Sequence, residues 1–203
     1  MPLGPDPHPP PRGGVGLRPT PVTGRYGPRV RVVGGSARGH TLVAPPGGRT
    51  RPTSDRVREA IFNALWSREA VGGARVLDLF AGSGALGIEA LSRGAEHATF
   101  VDTDRAARQA VRRNLEACGF SDRADIVAAP AERYLAGLAA ARWDLAFCDP
   151  PYAYAGWERL LAALPAGLVV IESDEPVAVP AGWELVREAG YGGTWVGFAV
   201  RTR

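Results

Sequence analysis

Asp149-Pro150-Pro151-Tyr152 is the stretch whose residue types point to the most specific chemistry. An exocyclic amine on a nucleic-acid base is a poor nucleophile, because its lone pair is delocalised into the ring. Attack on a sulfonium methyl requires that lone pair to leave conjugation. A carboxylate oxygen and a backbone carbonyl can accept the two amine hydrogens and hold that geometry. Asp149 can supply the first acceptor and Pro150 the second. The two prolines restrict the backbone, so the carbonyl direction is set at little entropic cost. Tyr152 then offers a flat face on which a base can stack. In isolation the same four residues also read as a rigid exit turn, with Tyr152 covering the edge of the core.

A second constellation is Asp78-Leu79-Phe80-Ala81-Gly82-Ser83-Gly84-Ala85-Leu86-Gly87. It reads as a strand, a glycine turn and a helix, and the glycines let the backbone turn tightly and approach a ligand. Gly82, Gly84 and Gly87 fit the dinucleotide fingerprint, which keeps a nicotinamide enzyme open. Asp102 lies 18 residues beyond Gly84 at the end of the next expected strand, where a carboxylate can accept both hydrogen bonds of a ribose diol. Loop and acid together imply an adenosine-type cofactor. Asp104 is expected to cap the helix that follows.

These groups need a frame that brings strand ends together, and the pattern supplies one. Val76–Phe80, Ala98–Asp102, Ala124–Ala128, Leu145–Cys148 and Leu168–Glu172 read as strands. Ala85–Ser92, Arg105–Ala117, Ala131–Ala140 and Trp157–Leu164 read as the helices between and after them, and Trp183–Glu188 with Thr194–Val200 as a closing antiparallel pair. The alternation predicts an α/β fold, Rossmann-like, with a mainly parallel seven-stranded sheet whose ligands sit beyond the carboxyl ends of the strands. Ahead of it, Val30, Val32 and Val33, then Gly34-Gly35, then Thr41-Leu42-Val43 predict a small hairpin carrying Arg29, Arg31, Arg38 and His40. A helix capped by Thr53 or Ser54 follows, with Val57, Ala60, Ile61, Ala64 and Leu65 on its apolar stripe and Arg56, Arg58 and Glu59 off it. Three segments result: a disordered Pro/Gly-rich extension over 1–27, a basic hairpin and helix over 28–73, and the α/β domain over 74–203.

Charge follows the same division. Residues 1–75 carry a net +8 and residues 76–203 a net −5, within a chain of 203 residues and net +3. A basic front on an acidic body suggests a polyanion-binding face, with a merely solvated arm as the bland alternative. With 45% hydrophobic residues and no apolar run of membrane-spanning length, a globular chain without membrane association is expected. The first residues lack a secretory core, so a cytoplasmic location is expected. Cys118 and Cys148 show no ligand spacing, so reduced thiols and no metal are expected.

Gly34-Gly35-Ser36-Ala37-Arg38-Gly39, Arg51-Pro52-Thr53-Ser54-Asp55-Arg56-Val57-Arg58-Glu59-Ala60, the Asp78–Gly84 loop and Asp149–Tyr152 together resemble the RsmD family of bacterial 16S rRNA (guanine(966)-N(2))-methyltransferases. The resemblance covers about residues 29–200. It implies a class I S-adenosylmethionine-dependent methyltransferase fold. Asp78, Phe80, Ala81, Gly82 and Gly84 would surround the methionine part of S-adenosylmethionine, Asp102 would bind its ribose, and Asp149, Pro150 and Tyr152 would hold the target amine. Arg51, Thr53 and Arg58 match a segment beside the active-site mouth, and Arg31 and Arg38 on the hairpin join them as expected contacts to 16S rRNA or the small ribosomal subunit. Glu172 matches a family position to which no role is assigned. Where the family commonly carries an acid able to reach the adenine amine, this chain has Ala129, so adenine recognition is expected to fall to backbone groups or Glu132. A monomer is expected. Adenine-N6 or protein-glutamine methylation, a nicotinamide dehydrogenase and a non-catalytic RNA-binding module are the competing readings.

Overall fold

A row of buried residues along each central strand dictates a sheet covered on both faces. The computed structural model describes residues 30–46, 54–138, 143–151 and 153–202. The expected extension over 1–27, and with it Arg51, Thr53 and Tyr152, lies outside the described residues.

Among the described residues, nine strands and five α-helices follow in order: β1 (Val30–Arg31), β2 (Thr41–Leu42), α1 (Asp55–Trp66), β3 (Arg75–Leu79), α2 (Ala85–Ser92), β4 (His97–Val101), α3 (Arg105–Cys118), β5 (Ala124–Val127), α4 (Ala131–Ala136), β6 (Trp143–Cys148), α5 (Trp157–Ala163), β7 (Ala166–Ser173), β8 (Trp183–Gly190) and β9 (Trp195–Arg201). β1 and β2 form the expected antiparallel hairpin. The other seven strands form one sheet in the order β5-β4-β3-β6-β7-β9-β8. It is parallel through β7 and closes with β9 antiparallel to both β7 and β8.

Alternation along the strands sends side chains to two cores. Val76, Phe100, Leu145 and Val170 pack with α1, α2, α3 and the hairpin, whereas Leu77, Leu79, Ala146 and Val169 pack with α4 and α5. The hairpin shares the first core through Val30, Val32, Ala37 and Leu42. Burial of such aliphatic side chains contributes about 1.5–3 kcal/mol each, which attaches the hairpin to the sheet domain.

Four local departures have physical causes. Phe80, expected as the last residue of its strand, turns to φ 62° and leaves β3. α4 closes at Ala136, short of Ala140, where Gly137 ends the turn on the Tyr134 carbonyl. β7 extends beyond the expected segment at both ends, its residues hydrogen-bonded to β6 on one side and β9 on the other. The fourth is Arg58. Ser54 caps α1, its Oγ accepting from the Val57 N–H, but Arg58 is fully buried within the helix, not off its apolar stripe.

Candidate active site and nucleic-acid interface

The strand order reverses between β3 and β6, so the crevice beyond their carboxyl ends is the natural ligand site of such a sheet. Register fixes what lines it. Leu79 pairs with Val101 on one side and Cys148 on the other, and Cys148 pairs with Ile171. The next residue on each strand therefore falls in one row: Asp102, Phe80, Asp149 and Glu172. With neighbouring strands about 4.8 Å apart, Asp102 and Asp149 stand roughly 10 Å from each other across this row.

The glycine loop is held from beneath and from the side. Gly82 and Gly84 adopt φ of 54° and 77°, a region that favours glycine. The Gly82 N–H donates to Asp102 Oδ2 at 2.8 Å, and the Asp104 N–H donates to Asp102 Oδ1 at 2.8 Å. Each carboxylate oxygen thus has one fixed donor and a remaining lone pair for a hydroxyl. Asp104 caps α3 as expected, accepting from the Ala106 N–H. A Cβ on Gly82 would meet nothing nearer than the Phe80 carbonyl at 3.9 Å, so this point of the loop faces open space. A Cβ on Gly87 would strike the Phe100 ring at 2.4 Å, so that glycine serves close helix–strand packing.

Asp78 is only 2% exposed and lies beneath the loop, its Oδ2 accepting from the Gly87 N–H at 2.9 Å. Burial pushes its carboxyl up to about 8, opposed by the Gly87 hydrogen bond and reinforced by the charge of Asp102. Through that hydrogen bond it supports the loop from beneath. Phe80 pays for its left-handed backbone with roughly 1–2 kcal/mol of strain. Its ring meets Tyr154 edge-on at 5.4 Å, and Tyr154 meets Trp157 in the same way at 5.2 Å. The Tyr154 hydroxyl donates to Glu132, so that acid is engaged with the segment leaving Pro151, while Ala129 stands half-buried beyond β5. Asp149 is partly exposed and Pro150 buried.

Of the expected substrate contacts, Arg38 is exposed on the hairpin loop. Arg31 has a side chain 66% exposed and pairs through Nε with Asp55 at 2.7 Å. Arg58, expected beside the active-site mouth, is fully buried. Its Nη2 donates to the Arg31 carbonyl at 2.6 Å and to Asp55 at 2.8 Å. Burial lowers its pKa, while the charges of Asp55, Glu89 and Glu172 oppose that shift. Glu172, next to Asp149 in the row, is buried.

Residues with no motif signature complete the interface. Glu89, buried in α2, accepts from the Val33 N–H at 2.7 Å and from Arg93 Nε at 2.7 Å. Ser92 Oγ accepts from the Ala37 N–H and donates to the Gly34 carbonyl. Asn114, 1% exposed in α3, reaches the hairpin as well. The available signal was a polar residue at a core position of a helical stripe: Asn114 sits with Ala107, Ala110, Val111 and Leu115, and Glu89 amid Leu86, Ile88 and Ala90.

Residues 30–200 match the family model described as Conserved hypothetical protein 95. The chain is similar to ribosomal RNA small subunit methyltransferase D of Escherichia coli (strain K12), 38% identical over 170 residues that cover 79% of this chain and 84% of the relative. It is likewise similar to the protein of the same name from Haemophilus influenzae, 33% identical over 171 residues, 78% of this chain and 87% of the relative. Among solved structures, yhhF from Escherichia coli superposes with a TM-score of 0.75 at 36% identity, covering 86% of this chain and 98% of its own.

Proposed function

From the premise that the chain belongs to the Conserved hypothetical protein 95 family, that of ribosomal RNA small subunit methyltransferase D, we propose that it transfers a methyl group from S-adenosylmethionine to the exocyclic N2 amine of a guanine in 16S rRNA, of the guanine(966)-N(2) type. The observation that carries this reading is the row Asp102, Phe80, Asp149 across three adjacent strand ends. It sets a diol acceptor, an open glycine loop and an amine acceptor in sequence along one crevice. The residues fit the cofactor: Asp102 keeps lone pairs for two ribose hydroxyls, and Gly82 leaves space above the loop.

S-adenosylmethionine, when bound, supplies an activated methyl with its leaving group built in. The chain's own task is then positioning. Asp149 Oδ and the Pro150 carbonyl accept the two amine hydrogens and turn the lone pair toward the methyl, and Tyr152 stacks the base. The proton passes from the methylated amine to Asp149 or water. Arg31 and Arg38 on the hairpin meet the RNA backbone, reading charge and shape more than sequence. A hydride-transfer reading of the glycine loop leaves Asp149–Tyr152 without a task.

Asp149→Ala tests the assignment. Single-turnover methyl transfer to small-subunit RNA is expected to fall on the order of 10²–10³-fold or more, while calorimetric affinity for S-adenosylmethionine stays within about threefold. Turnover preserved in this variant would remove Asp149 from the chemistry.

A further inference from the structure

Asn114 lies in the buried stripe of α3 and is used by no step of the amine chemistry. A carboxamide in a core is costly unless its polar atoms are all satisfied. Here they are. Oδ1 accepts from the Val43 N–H at 2.7 Å, and Nδ2 donates one hydrogen to the Val43 carbonyl at 3.0 Å and the other to the Ser83 carbonyl at 2.8 Å. A flipped amide would set N–H against N–H and oxygen against two carbonyls, so the partners dictate the orientation.

The two partners belong to different parts of the molecule. Val43 directly follows β2 of the basic hairpin and is 47% exposed. Ser83 is the middle of the Gly82–Gly84 turn, and its neighbour Gly82 is the residue bound by Asp102. One buried side chain therefore fixes both backbone groups of the segment leaving the hairpin and one wall of the turn that faces the cofactor.

We infer that Asn114 is a positioning residue that couples the hairpin to the cofactor loop, so that RNA held on the hairpin and S-adenosylmethionine held at Gly82–Gly84 strengthen each other's binding. The inference rests on the reading of the hairpin as the RNA-docking surface. The sign is positive because the contacts from Val43 through Asn114 and Ser83 to Gly82 and Asp102 already link the two sites, so a ligand that restrains one end leaves less freedom for the other ligand to remove. The effect is reciprocal, since it is a coupling free energy between two binding sites.

The test uses the full chain, small-subunit RNA transcribed in vitro, and S-adenosylhomocysteine, the demethylated cofactor, which binds without transferring. Calorimetric Kd values for S-adenosylhomocysteine are measured without RNA and at saturating RNA, for the wild type, Val43→Pro and Asn114→Ala. Val43→Pro deletes the N–H given to Asn114 Oδ1 and fixes φ at an exposed position after a strand, and keeps the test decisive if Asn114→Ala does not fold. RNA is expected to tighten cofactor binding about fivefold or more in the wild type and less than about twofold in either variant. RNA-free affinity of Val43→Pro is expected to stay within about twofold of wild type. Equal tightening in the wild type and Val43→Pro, or none in a wild type that binds RNA, overturns the coupling. Failure of the wild type to bind RNA at all overturns the docking reading itself, and the coupling with it.

Discussion

The crevice and the hairpin seam are built in opposite ways. In the crevice, backbone faces the ligand: glycines turn at 82 and 84, prolines follow Asp149, and the two acids stand on the first residue past their strands. In the seam, ordinary backbone is grasped by buried side chains from three helices, Arg58 on α1, Glu89 and Ser92 on α2, and Asn114 on α3. At the partly exposed Asp149 an exchange is expected to cost chemistry more than stability. A seam side chain satisfies buried groups of two elements at once, so its removal is felt as stability.

Arg58→Ala is the strongest way to break this contrast. It leaves the Arg31 carbonyl without its donor and Asp55 with Arg31 alone, a loss on the order of 2–4 kcal/mol once the packing around the fully buried side chain is included. Urea unfolding should show it, while Arg38→Ala, at an exposed site, changes stability by less than about 0.5 kcal/mol. Equal losses from the two would dissolve the distinction between seam and surface.

Asp78→Asn sharpens the crevice side. With the folded carboxyl pushed up to about 8 and an unfolded value near 3.9, the native state keeps a proton that the unfolded chain has released. The contribution of Asp78 to stability is therefore intact below about pH 4 and declines as pH rises through about 8. The variant should show a flatter profile over that window and a gain of a few kcal/mol at pH 9 relative to wild type. A profile parallel to wild type would mean that Asp78 is ionised in the fold.

The smallest effect belongs to the exposed hairpin charges. Replacing Arg31 and Arg38 with Gln is expected to weaken RNA binding about tenfold and to reduce the slope of log K against log salt by about one to two. Unchanged binding would place the RNA surface elsewhere.

Backbone chemistry explains why the crevice was legible in the sequence. Gly82, Gly84 and the Asp149–Pro150 turn announce their conformations through residue type, and the strands that position them announce themselves through apolar runs such as Val76–Leu79 and Leu145–Cys148. The seam was not legible for a complementary reason. Arg58 follows the apolar Val57 and reads as a charged residue turned to solvent: its bond to Asp55 is local and compatible with an exposed helix face, while the Arg31 carbonyl that draws it inward is 27 residues away. Glu89 and Asn114 each break an apolar helical stripe, a signal that marks a buried polar group without naming what it holds. Phe80 shows the same limit at single-residue scale: its apolar side chain suits a strand, while the crevice requires a left-handed turn there.

Transfer of a labelled methyl group from S-adenosylmethionine to small-subunit RNA and particles, with digestion and identification of the modified nucleoside, tests the central claim most directly. N2-methylguanosine at a single site is expected, formed by the wild type and lost in Asp149→Ala. N6-methyladenosine, or label in protein instead of RNA, would contradict it.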